Sequence, residues 1–136
     1  MNKIRPGLYL GDWNDAKKIN EGNAEWSIFN CAIDITMEPR KKSKIFKQGL
    51  IDGPGNPDQR FKDAIKELSR VVALGKPVLV HCHAGISRSP TVLAKYLSIV
   101  EGRAFLDCLA ELNKIRPIVD PNFAMIRLGK DTECAI

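Results

Sequence analysis

The residues best equipped for chemistry lie in one run, Val78-Leu79-Val80-His81-Cys82-His83-Ala84-Gly85-Ile86-Ser87-Arg88-Ser89-Pro90. A thiol opens it, and a guanidinium follows with five residues between them. The apolar, β-branched start predicts a buried strand. Ser89-Pro90 followed by TVLAKYLSIV predicts a helix with Pro in its first turn. A tight loop between a strand and a helix N-terminus makes an anion cradle, because loop N–H groups converge and the helix end adds unpaired donors and partial positive charge. Gly85 permits the sharp turn. Arg88 adds a planar fork suited to two oxygens of a tetrahedral anion. A thiol at Cys82 is favoured there in its charged, nucleophilic form. One loop thus offers a nucleophile beside an oxyanion site.

HCHAGISRS resembles the His-Cys-(five residues)-Arg-Ser signature of cysteine-dependent protein phosphatases. Its Ala-Gly-x-Ser-Arg-Ser form is similar to the dual-specificity branch. KIRPGLYLGDWNDA is similar to that family's opening strand segment. The stretch from TVLAKYLSIV through FAMIRLG is similar to its closing helices, including the Arg-Pro-x-x-x-Pro-Asn turn. The resemblance covers nearly the whole chain. It implies a PTP-like phosphatase fold without a cofactor. It also implies hydrolysis of phosphotyrosine, and of phosphoserine or phosphothreonine, through a phosphocysteine intermediate, with phosphorylated proteins as substrates.

That reaction needs an ionised nucleophile, fixed donors for three equatorial oxygens, a proton for the leaving oxygen and a water for the second step. Cys82 is the expected nucleophile. The backbone of His83, Ala84, Gly85, Ile86 and Ser87, together with Arg88, is the expected phosphate-binding set, with His83 at the rim. Asp52 is the expected acid and then base, since it precedes Cys82 at about the spacing at which the resembling family places its acid. Asp58 is the rival and is expected to cap the helix after it. Asp52 is open to a blander reading, a turn residue bonding its own backbone. Ser89 is expected either to ease departure of sulfur, as in the resembling family, or to cap the helix. His81 is expected to support Cys82 by hydrogen bonding rather than act as base. His81, Cys82 and His83 are adjacent and point to alternating sides, so no metal site is expected.

The elements that must position these groups follow from pattern. Ile4–Leu10 reads as an edge strand or hairpin start, and Asp12 as the cap of a helix to about Ile19. Residues 26–33 are apolar almost throughout, as in a strand buried on both faces, and 44–51 reads as another strand. Asp52 to Pro57 is a Gly/Pro-rich loop. Phe61, Ile65, Leu68, Val71 and Val72 recur at helical spacing, and further helices are expected at 104–115 and 121–128. Alternating strands and helices predict an α/β fold, a mostly parallel central sheet flanked by helices on both faces. Loops leaving the carboxyl ends of strands carry ligands in such sheets, which singles out those at Cys82 and Asp52.

At 136 residues the chain reads as one domain, 1–136. No apolar run reaches the roughly 20 residues that span a bilayer, and Met1-Asn2-Lys3 leads into a strand without a signal-type segment, so a cytoplasmic location is expected; a monomer is the expected state. Four cysteines without CxxC spacing read as reduced thiols, with Cys31 and Cys108 as core residues and Cys134 near a frayed end. The net charge of +5 favours anionic partners. Much of the excess lies in Arg40-Lys41-Lys42-Ser43-Lys44, which reads as a solvated loop, with lining of the cleft as the alternative. That cluster lacks interleaved aromatics, so a nucleic-acid stacking surface is not indicated, although charge alone leaves nucleic acid open. Relatives of similar size act on RNA 5′ ends or phosphoinositides, and a non-catalytic phosphopeptide-binding module is the remaining alternative. Little chain is left for the added aromatic loop of tyrosine-specific relatives, so a shallow cleft of dual specificity is expected.

Overall fold

In the computed structural model all 136 residues are described. The chain order is β1 (Asn2–Arg5), β2 (Leu8–Gly11), α1 (Trp13–Glu21), β3 (Ser27–Ala32), β4 (Lys44–Leu50), α2 (Asp58–Val72), β5 (Val78–His81), α3 (Arg88–Glu101), α4 (Phe105–Ile115) and α5 (Phe123–Asp131). The strands form one sheet in the order β1-β2-β5-β3-β4. β2, β5, β3 and β4 run parallel, and β1 joins the edge antiparallel to β2. This is the α/β architecture read from the sequence.

β5 is central and buried along its whole length, which is why it reads as an unbroken apolar run. Its alternate side chains serve two cores. Val78 and Val80 join the large core beneath α2, α3 and α4 with Phe29, Phe61, Leu93 and Leu112. Leu79 faces the other side and packs with Ile28 and Ala16 of α1. Each such side chain contributes roughly 1.5–3 kcal/mol by leaving water. Helices therefore cover both faces, α1 alone on one of them.

One local reading is completed and two change. The first segment is a complete hairpin, because Gly7 adopts φ 74° at the turn. α5 begins after Asn122, whose side chain accepts from Met125 N at 3.0 Å. Asp58 does not cap α2: Pro57 holds that position without a side-chain bond, and Asp58 sits inside the first turn, where its charge meets the positive helix end. The basic segment lies where the chain enters β4, at the end of the sheet opposite Cys82. Arg40 N bonds Asn20 Oδ1 at 3.2 Å and Lys41 Nζ bonds Asn23 Oδ1 at 3.5 Å, while the side chains of 40–42 face solvent. It is a solvated loop, and it does not line the cleft.

Candidate active site

Cys82 follows the last residue of β5, and Arg88 is the first residue of α3. Between them six consecutive carbonyls turn outward to partners outside the loop's centre. Cys82 O meets His81 Nδ1 at 2.9 Å. His83 O accepts from Trp13 N at 3.0 Å. Ala84 O and Gly85 O accept from Arg116, Nη2 at 3.0 Å and Nε at 3.2 Å. Ile86 O accepts from Asp120 N at 2.9 Å, and Ser87 O accepts from Thr91 Oγ1 at 2.8 Å. None of the N–H groups from His83 to Ser87 donates to an acceptor in the protein. A peptide that turns its carbonyl out turns its N–H in, so these donors converge on the loop's centre as a nest for an anion. Gly85 makes the bend at φ 70°, and a Cβ there would stand 2.7 Å from both Gly11 O and Arg116 Nη2.

The candidate reacting groups stand around that centre. Cys82 Sγ accepts from Ser89 Oγ at 3.1 Å, with both residues buried. Ser89 therefore points at sulfur. The cap position of α3 belongs to Ser87, whose Oγ accepts instead from Asn122 N at 3.2 Å. Arg88 is 6% exposed. Its Nη1 donates to Leu50 O at 3.1 Å and to Asp34 Oδ1 at 2.5 Å, which leaves the Nε and Nη2 side without a protein acceptor. A carbonyl only accepts, so the His81 Nδ1 contact places the ring proton on Nδ1. Burial holds the His81 imidazole below its ordinary pKa, and its Nε2 is enclosed without a partner. His81 thus supports the main chain at Cys82 and does not touch the sulfur. His83 is exposed, its ring 5.6 Å from that of Trp13. Ile86 is exposed.

Asp52 lies two residues beyond β4 and is exposed. Its Oδ1 accepts from Asn122 Nδ2 at 2.7 Å. Asn122 N reaches Ser87 Oγ, so one residue joins Asp52 to the Cys82 loop. The Asp52 loop is knitted by Asn56, which accepts from Ile51 N and donates to Ile51 O, each at 2.8 Å. The local turn is thus held by Asn56, and the Asp52 carboxylate is left for a partner across the cleft. Beside it an open groove of about 910 Å³ runs between this loop and α5, lined by Asp52, Asp58, Phe123, Arg127 and Asp131. It adjoins the Cys82 loop without containing it.

The family model for the dual specificity phosphatase catalytic domain matches residues 8–128. The chain belongs to this family. Dual specificity protein phosphatase 15 of Rattus norvegicus is 32% identical over 124 residues, 90% of this chain and 52% of that protein. Dual specificity protein phosphatase 22 of Homo sapiens is 30% identical over 135 residues, 98% of this chain and 73% of that protein. The chain spans about half the length of the phosphatase 15 relatives. The crystal structure of DUSP15 aligns with TM-score 0.75 at 28% identity, over 96% of this chain and 85% of that one. The human tyrosine phosphatase-like serine/threonine/tyrosine-interacting protein has the same fold, with TM-score 0.76 at 23% identity over 96% of this chain and 93% of that one.

Within this dual-specificity phosphatase domain, sequence reasoning passed over three residues. Arg116 and Asn122 lie in the Arg-Pro-x-x-x-Pro-Asn turn, a signal that was visible without its meaning. Arg116 is buried and also donates from Nη1 to Asn2 Oδ1 at 2.9 Å, tying β1 to the loop. Asp34, on Arg88, has no sequence signal at all. No helix of the domain is long and apolar enough to cross a membrane.

Proposed function

We propose that this domain is a cysteine-dependent protein phosphatase that hydrolyses phosphotyrosine, and phosphoserine or phosphothreonine, through a phosphocysteine intermediate. The single observation that supports it most is the ring of inward N–H groups, His83 to Ser87, around a thiol that already accepts a hydrogen bond from Ser89. Family membership adds to it.

The phosphoryl oxygens sit on the N–H groups of the loop and on the free Nε/Nη2 side of Arg88. Cys82 Sγ attacks phosphorus in line. The bond to the leaving oxygen breaks, its electron pair stays on oxygen, and Asp52 supplies the proton. The transition state is loose, so catalysis consists mainly of holding three oxygens in place. In the second step water attacks phosphorus, the Asp52 carboxylate takes its proton, and sulfur leaves with its electron pair. The Ser89 hydroxyl donates to that sulfur as negative charge returns to it. His81 keeps the main chain at Cys82 in register. The whole chain acts as one domain and, in this reading, as a cytoplasmic monomer.

A phosphopeptide panel assayed beside 5′-triphosphate RNA and phosphoinositides, with Cys82→Ser as control, tests this. Expected are release of phosphate from phosphotyrosyl and phosphoseryl or phosphothreonyl peptides, sensitivity to vanadate, indifference to EDTA and silence of Cys82→Ser. Turnover of RNA or inositide alone overturns the substrate assignment. Binding of phosphopeptides without phosphate release overturns the enzymatic one.

A further inference from the structure

The pairing of β3 with β4 slips at its carboxyl end: Asn30 pairs with Lys47, but Ala32 pairs with Leu50. A slip of this kind is a bulge, and bulges re-aim the residues that follow. The turn after it is fastened from within. Asn30, 1% exposed, accepts from Ala32 N and donates from Nδ2 to Ile35 O, each at 2.8 Å. Ile33 N donates to Leu50 O at 3.2 Å, and Ile35 N to Ala32 O at 3.3 Å. Gly49 lets the turn press against β4, since a Cβ there would stand 2.6 Å from Ile33 Cα. A buried polar side chain bonded at both ends fixes its surroundings, because freeing either partner leaves a desolvated group unpaired.

What this turn presents is Asp34. Its carboxylate meets Arg88 Nη1, the same nitrogen that donates to Leu50 O. A guanidinium is planar, so two acceptors on one nitrogen set both its position and its plane. The edge left over is the one with Nε and Nη2. The Arg88 side chain is 7% exposed and that of Asp34 58%, so the acidic partner fills no core space. The hydrogen bond from Arg88 holds the Asp34 carboxyl below its ordinary pKa.

We propose that Asp34 is a positioning residue for Arg88, turning the Nε/Nη2 edge of the guanidinium toward two oxygens of the transferring phosphoryl group. The proposal rests on Cys82 and Arg88 being the reacting pair. Because the phosphoryl oxygens carry their charge in the transition state, misaimed donors cost turnover more than substrate binding. An error of about 1 Å in such a group costs up to about a hundredfold.

The test measures kcat and KM on a phosphotyrosyl peptide, vanadate inhibition and thermal unfolding for Asp34→Ala and Asp34→Asn, beside Cys82→Ser. Expected for Asp34→Ala is a fall in kcat of roughly tenfold to a hundredfold with KM changed far less, and a parallel loss of vanadate affinity. Its unfolding midpoint stays near that of the parent. Asp34→Asn, which keeps an acceptor for Nη1, recovers most of the loss. Asp34→Ala turning over and binding vanadate like the parent overturns the proposal. So does Asp34→Asn as impaired as Asp34→Ala. Turnover by Cys82→Ser instead overturns the underlying assignment, whatever the Asp34 variants do.

Discussion

Four thiols share this chain, and their surroundings set them apart. Burial pushes the Cys31 thiol well up, with the neighbouring charge of Cys82 adding to it. Burial also raises Cys108 and Cys134. A raised thiol is a poor nucleophile at neutral pH. Brief iodoacetate treatment at neutral pH is therefore expected to modify Cys82 first, with activity lost in step and vanadate protecting; peptide mapping reads the outcome. Label on Cys31, Cys108 or Cys134 with activity retained would contradict this. The two acid candidates separate in the same way. Asp52→Asn should lower kcat about a hundredfold or more on alkyl phosphates, whose leaving oxygen needs the proton, and less on an aryl phosphate with a good leaving group. Asp58→Asn should leave both rates near the parent's, as its carboxylate only sits in the first turn of α2. At this scale the sequence was legible where the chemistry is contiguous. Cys82, Arg88 and Ser89 fall in one short stretch from the end of β5 to the first turn of α3, and Asp52 stands just past a strand end. Asp34 was not legible, because its contact with Arg88 arises from a slipped register and a glycine at 49, neither of which pattern reveals.

The elements were legible for a different reason. β5 and β3 are buried on both faces and carry unbroken apolar runs, while α2 keeps helical spacing. Ends were harder, since Pro57 and Asn122 set them through local geometry. The conformation of the Cys82 loop was only half legible: Gly85 announces a bend, but the outward carbonyls need Trp13 from α1 and Arg116 and Asp120 from the turn before α5, two distant parts of the chain. Gly85→Ala tests that construction. A left-handed residue with a side chain costs about 1–2 kcal/mol, before any clash with Gly11 O and Arg116. The variant is expected to remain folded with a lowered unfolding midpoint; as the loop shifts to relieve the clash, its N–H groups no longer converge, and vanadate affinity falls by about tenfold or more, the factor that about 1.4 kcal/mol of lost hydrogen bonding makes. Unchanged vanadate binding would show that the bend does not set the cradle.

Across the whole molecule, β1 acts as a strap. Asn2 holds Arg116 from one side, and Arg5 joins Glu101 of α3 and Glu111 of α4, with Arg103 completing the cluster. Hydrogen bonds from Arg5 first and Arg103 second hold the Glu111 carboxyl at about 2. A carboxyl held below its unfolded pKa stabilises the fold above the ordinary range, and the contribution disappears as pH falls from about 4.5 toward 2. The cluster is partly exposed, so solvent screening limits it to about 1 kcal/mol. Urea unfolding of Glu111→Gln should show a deficit of that size at pH 7 that shrinks on acidification toward pH 3; a deficit constant with pH would contradict it. The strap, the bulge and the outward-turned loop all converge on Cys82. The most direct measurement of the account is rapid-quench mass spectrometry of the domain during turnover of a phosphotyrosyl peptide. The account predicts a transient phosphoryl group on Cys82 of the parent and none in Cys82→Ser, which should also be inactive. A phosphoryl group on any other residue, or undiminished turnover by Cys82→Ser, would contradict it.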